Sequence, residues 1–274
     1  MAASELEQPS LYDRFTSSND GDENDDSAMS LVDHLEELRK RIFVCLIFVA
    51  VGTVVAFIFR TQLIAFLTAP LPNKTSGGIF AALPHGLTVM GLGEAFTVAV
   101  KLSLVFGLVF SLPVILYETW AFVAPGLYDR EKKHAVPFII LGLILFAIGL
   151  TLGYFILQFP VSFLISFGAS SFNELISADS YFTFVSYFLL VFGAIFELPL
   201  VLTFLAMIHI VTEDFLKSKR AIAHVAMWAA STVLTPGADL YSPVFIGVSL
   251  SILYEFSILL IHFIVKKEPA EEIA

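Results

Sequence analysis

Apolar residues gather into six long runs, at about 42–59, 95–116, 134–157, 181–207, 221–235 and 243–265. A bilayer's hydrocarbon core is about 30 Å thick and takes roughly 20 helical residues to cross, so these runs predict six transmembrane helices. The fifth is short. Its stretch Ala221 to Leu234 rises only about 21 Å, which predicts local thinning of the bilayer or support from neighbouring helices. Polar and turn-forming positions mark the connections. Pro70, Pro72, Gly77, Gly78 and Pro84 predict an irregular first loop over about 60–94, and Pro160 opens a second over about 158–180. The apolar piece Val161 to Phe167 of that second loop is expected to lie in the membrane interface. A tight turn is expected from Pro236 to Ser242, and Tyr117 to Lys133 reads as an aromatic-rich loop. Ahead of the first run, Leu31, Leu35, Leu38 and Ile42 share one helical face while Glu36, Glu37, Arg39 and Lys40 lie elsewhere. With a capping start at Ser30, this pattern predicts an amphipathic helix skimming the inner surface before the chain enters the bilayer.

Composition changes the reading only by closing alternatives. Hydrophobic residues make up 57% and charged residues 15%, too little polar surface to wrap a water-facing globule of 274 residues. The net charge of -10 belongs mostly to the tail 1–29, whose eight acids face one base, Arg14. That tail is expected to be disordered and cytoplasmic, followed by a transmembrane domain over 30–265 and a second cytoplasmic tail over 266–274. No nucleic-acid surface is implied. Twelve of the 15 Lys and Arg residues fall on the side shared by the two termini, against Arg60 and Lys74 on the other and Lys101 within a span. The positive-inside rule then places both termini in the cytoplasm. Cys45 is the single cysteine, so no internal disulfide can form.

Residues 104–116 (LVFGLVFSLPVIL) and 190–202 (LVFGAIFELPLVL) agree at eight of thirteen positions. Both lie on spans of the same direction, so the likeness is parallel and gives no support to an inverted-repeat transporter. Pro113 and Pro199 each remove a backbone donor and invite a kink. Ser111 in one copy is Glu197 in the other. A charge within a span costs about 2.5–3.5 kcal/mol on insertion scales, so Glu197, Glu255 and Lys101 are candidates for function. Those three also motivate an alternative reading, a small proton- or ion-coupled solute transporter. Gly149 and Gly153 form a GxxxG that suggests close packing of the third span. The chain is not read as an enzyme and no cofactor is implied: it lacks HExxH, GxSxG and phosphate-loop motifs and any Cys/His metal spacing.

HLEELRKR at 34–41, APL at 69–71, SLPVILYETWAFVAPGLYDREKK at 111–133, FELP at 196–199 and LTPGAD at 234–239 together resemble TatC, the core subunit of the twin-arginine protein translocase. The resemblance runs in order from about 30 to 265. It implies an all-α, six-helix polytopic fold in a curved bundle, residing in the cytoplasmic membrane. It also implies recognition of twin-arginine signal peptides on folded cargo, with proton-motive force driving transport. The implied partners are single-span TatA and TatB type subunits, membrane lipid and further copies of the chain in a receptor complex. By the family pattern Glu37 and Glu131 receive the arginine pair, with Arg39, Phe122, Pro125, Leu127 and Tyr128 shaping that surface. Pro70, Glu197, Thr235 and Asp239 match further positions the family uses, with Glu197 facing the inner concavity. After Asp239 the family often reads Val-Phe-Ser-Gln, where this chain has Leu240, Tyr241, Ser242 and Pro243.

Overall fold

The computed structural model describes residues 31–70, 87–123, 135–168, 175–237 and 239–264. The chain divides into two units, 1–42 and 43–274. Among the described residues the protein is helical throughout, apart from one isolated bridge between Thr88 and Ser177. The helices are α1 (Leu31–Ile58), α2 (Arg60–Thr68), α3 (Glu94–Val123), α4 (Ala135–Ile156), α5 (Gln158–Gly168), α6 (Ala178–Phe196), α7 (Leu198–Met207), α8 (Glu213–Ser218), α9 (Arg220–Leu234) and α10 (Tyr241–Ile264). Five stretches are long and apolar enough to cross a membrane: His34–Ile58, Glu94–Phe122, Val136–Phe167, Ala178–Met207 and Tyr241–Ile264. The fifth apolar run of the sequence forms α9. At 15 residues it rises about 22 Å and falls short of the hydrocarbon thickness, as its length predicts.

Three boundaries differ from the sequence pattern. The expected surface helix and first span are one element, because no Gly or Pro interrupts Leu31 to Val51 and two favourably ordered acid–base pairs support its opening turns. Tyr117 to Val123, expected in a loop, continue α3. They are held there by Trp120, which is buried against Phe138 and Phe204 with ring centroids 4.7 and 6.4 Å away. The piece expected to lie in the interface after Pro160 is helix α5, and its Val161 and Ile165 are buried in the core. Pro160 sits in the first turn of α5, where a missing N–H costs nothing.

The core of the larger unit is built around α6. Val185, Phe188 and Phe192 are fully buried, and the small residues opposite them set how closely the helices approach. A Cβ on Gly149 would stand 2.7 Å from the Phe192 carbonyl oxygen, and one on Gly153 2.8 Å from the Phe192 Cβ. The GxxxG of α4 is thus the seam against α6. Gly193 answers it from the other side, facing the Phe146 ring. At the far end of the helix pair, Glu94 ties two elements together. One carboxylate oxygen accepts from the Ser177 hydroxyl (2.5 Å) and the Asp179 amide (2.9 Å), the other from the amides of Met90 and Gly91.

Candidate functional site

In the smaller unit the described residues open α1. Leu35, Glu36, Arg39 and Lys40 are exposed there, while Glu37 and Leu38 are partly covered. Helical spacing brings Glu36 to Lys40 (3.2 Å) and Glu37 to Arg41. The second pair is the better formed. Arg41 Nε and Nη2 both donate to Glu37 Oε1, at 3.0 and 2.5 Å, and the two side chains are only 23% and 21% exposed. Glu37 Oε2 is buried and accepts no hydrogen bond among the described residues. A guanidinium and a carboxylate are therefore already matched at this position, with one carboxylate oxygen to spare. Phe122, half-buried, lies in the last turn of α3. Pro125, Leu127, Tyr128 and Glu131 lie outside the described residues.

Glu197 stands where the fourth span breaks. Its backbone (φ -76, ψ -9) closes α6 and precedes α7, whose second residue is Pro199. The Glu197 amide donates to the Ala194 carbonyl at 3.1 Å and its own carbonyl accepts from Val201 at 2.9 Å. The side chain turns toward Gly142 of α4, where Leu116 and Leu200 also converge. Both carboxyl oxygens are buried and neither has a hydrogen-bond partner among the described residues. A polar group left so in an apolar setting costs about 1–3 kcal/mol.

Thr235 and Asp239 organise the turn between α9 and α10. The Thr235 hydroxyl donates to the Ser231 carbonyl at 2.8 Å, ending α9. Asp239 is buried and accepts from the amides of Tyr241 (2.9 Å) and Ser242 (2.6 Å) and from the Ser242 hydroxyl (2.8 Å). It thereby satisfies orphan donors at the start of α10. Pro70 is half-buried in the turn that follows α2. The other charges within spans are paired. Lys101 Nζ lies 2.7 Å from Asp179 Oδ1, and Glu255 lies 2.8 Å from Arg220 and 3.4 Å from His224. Asp179 and Arg220 escape a reading of apolar runs because each sits at a helix end. The signal for Asp179 was present: Ser177 followed by Asp179 is a helix start, and an intramembrane lysine requires a counter-charge. Among the described residues no three His, Cys, Asp or Glu side chains group as a metal site.

Residues 33–248 match the profile of the family described as Sec-independent protein translocase protein (TatC). The TatC protein of Desulforapulum autotrophicum is 38% identical over 243 residues, 88% of this chain and 87% of that one. That of Halalkalibacterium halodurans is 40% identical over 245 residues, 87% of this chain and 91% of its own. Among solved structures, a crystal structure of a twin-arginine translocase receptor, TatC, superposes with a TM-score of 0.70 at 30% identity, covering 85% of this chain and all of the other.

Proposed function

Because the chain belongs to the TatC family of Sec-independent protein translocase proteins, we propose that this membrane translocase subunit is the receptor for twin-arginine signal peptides. In this reading Glu37 and Glu131 take the two guanidinium groups at the inner surface, with Arg39, Phe122, Pro125, Leu127 and Tyr128 forming the surrounding surface. The observation that carries the reading is the Glu37–Arg41 pair. An arginine of this chain already donates to one oxygen of that carboxylate, which makes Glu37 a guanidinium acceptor. An incoming guanidinium that takes the place of Arg41 at Glu37 exchanges one charge-assisted contact for another. Discrimination follows from shape: the planar fork of Arg matches a carboxylate bidentately and a Lys ammonium does not.

The same reading places six spans in the cytoplasmic membrane, both termini and the tails 1–29 and 266–274 inside, and α9 as the short fifth span within the domain 30–265. TatA and TatB type subunits and further copies of the chain complete the complex, and proton-motive force drives transport. Glu197, Thr235, Asp239 and Pro70 serve as the polar and partner-contacting positions within or near the bilayer. A photo-crosslinker placed beside the arginine pair of a signal peptide tests the receptor role. Crosslinking to this chain is expected and is expected to disappear when both arginines become lysines. Equal crosslinking by the two peptides overturns the proposal.

A further inference from the structure

A polar pocket of about 520 Å³ opens between the start of α6, the first turns of α3 and the end of α9, lined by Lys101, Asp179, Ser180, Thr183, Tyr187 and Thr235. Its volume falls within the range of about 300–1,000 Å³ common to small-molecule sites. Its depth follows from helix geometry. The span Glu94–Phe122 has 29 residues and rises about 43 Å, close to the full bilayer thickness of about 40–45 Å. Lys101 lies about 10 Å from the end of that span at Glu94, at the boundary between lipid headgroups and hydrocarbon.

The hydrogen-bonding groups of this pocket are not used up. Lys101 has three N–H donors; one faces Asp179 Oδ1 at 2.7 Å and a second faces Thr183 Oγ1 at 3.2 Å, leaving a third. Asp179 Oδ2 accepts nothing from the described residues. Among the described residues the Ser180 and Tyr187 hydroxyls engage no partner, and Thr183, having accepted from Lys101, still has its own O–H to donate. The lysine and aspartate side chains are 43% and 37% exposed, so both signs of charge are presented to whatever enters. Four donors thus stand beside one carboxylate oxygen.

We propose that this pocket binds the zwitterionic headgroup of a phospholipid in which a phosphodiester carries a primary ammonium. The phosphate oxygens accept from Lys101, Ser180, Thr183 and Tyr187, and the ammonium donates to Asp179 Oδ2. A trimethylated ammonium has no N–H to give, and a glycerol headgroup brings the anion without the cation. Phosphatidylethanolamine is therefore selected over phosphatidylcholine and phosphatidylglycerol.

The test is native mass spectrometry of the full chain released from detergent after exposure to equimolar amounts of the three lipids. Retention of phosphatidylethanolamine is expected to exceed that of the other two by roughly three- to tenfold, the range that one or two net hydrogen bonds supply. The preference is expected to vanish in Asp179→Asn, whereas Tyr187→Phe, a change outside the ion pair that keeps the fold, is expected to lower retention of all three lipids by about twofold or more through the lost phosphate contact. Equal retention of the three lipids by the unmodified protein overturns the proposal. So does lipid retention untouched by Tyr187→Phe or, where that variant folds, a preference untouched by Asp179→Asn. Glycerophosphoethanolamine carries the same headgroup without tails and is expected to displace little lipid; displacement at concentrations matching the lipid assigns the pocket to a soluble zwitterion and overturns the lipid assignment.

Discussion

The stretch 104–116 in α3 and its near-copy 190–202, which spans α6 and α7, carry the same Leu-Val-Phe-Gly opening and the same Leu-Pro close. Each proline deprives its helix of one donor. Yet α3 runs unbroken to Val123 with Pro113 inside it, while the second copy stops at Glu197 and begins again at Leu198. The residue two places before each proline separates them. Ser111 is buried and donates its hydroxyl to the Gly107 carbonyl at 2.7 Å, so it brings its own partner into a dry helix. Glu197 cannot do the same as a carboxylate, which only accepts, and its oxygens have no hydrogen-bond partner among the described residues. A break in the helix and a carboxyl with no partner among the described residues thus coincide at one residue.

Exchanging the two residues is the strongest way to break this comparison. Ser111→Glu puts an uncompensated carboxyl into a site only 2% exposed and is expected to cost about 3–5 kcal/mol, read as a large drop in thermal midpoint in detergent. Glu197→Ser, which removes a carboxyl that has no partner among the described residues, is expected to raise stability by up to about 1–3 kcal/mol, read as an unchanged or higher midpoint. Equal effects in both directions would mean that the two copies are structurally equivalent after all.

The shared glycine sharpens the comparison at a second level. A Cβ on Gly107 would meet the backbone nitrogen of Thr53 in α1 at 2.6 Å, whereas one on Gly193 would meet the edge of the Phe146 ring at 2.6 Å. Backbone cannot turn aside and a ring partly can. Gly107→Ala is therefore expected to loosen α1 from α3, and Gly193→Ala to cost about 1–3 kcal/mol through overpacking. Engineered cysteine pairs between α1 and α3 should form less readily in Gly107→Ala and normally in Gly193→Ala.

Glu213 supplies a smaller effect away from both copies. Its carboxyl is held below the usual carboxylate range by the hydrogen bond from Lys217 and then by His262, whose Nδ1 lies 3.1 Å away. A depressed carboxyl contributes stability above its unfolded value, and that contribution is lost as pH falls through the folded value. The midpoint of the parent should therefore fall more steeply on acidification than that of Glu213→Gln, by a fraction of a kcal/mol because the partners Lys217 and His262 are exposed to solvent. Parallel pH profiles would remove Glu213 from the account.

The apolar runs made the helical class and every long span legible, and the short α9 followed from its length alone. The breaks were less so. Two near-identical Leu-Pro segments predict two kinks, and the helix breaks at only one of them, at Glu197. The extension of α3 through Trp120 was hidden because its burial depends on Phe138 and Phe204, far away in sequence. The Glu37–Arg41 pair could be read from i,i+4 spacing, whereas the Lys101–Asp179 pair needed the tertiary contact of α3 with α6.

In the proposed receptor Glu37 exchanges its own arginine for one of the peptide. Affinities of a twin-arginine peptide and its twin-lysine counterpart, measured against the parent and Glu37→Gln, form a closed cycle that tests it. The account predicts that the parent prefers the arginine peptide by roughly tenfold or more, the range of charge-assisted hydrogen bonds, and that Glu37→Gln loses most of that preference. An arginine preference of the same size in both proteins would contradict it.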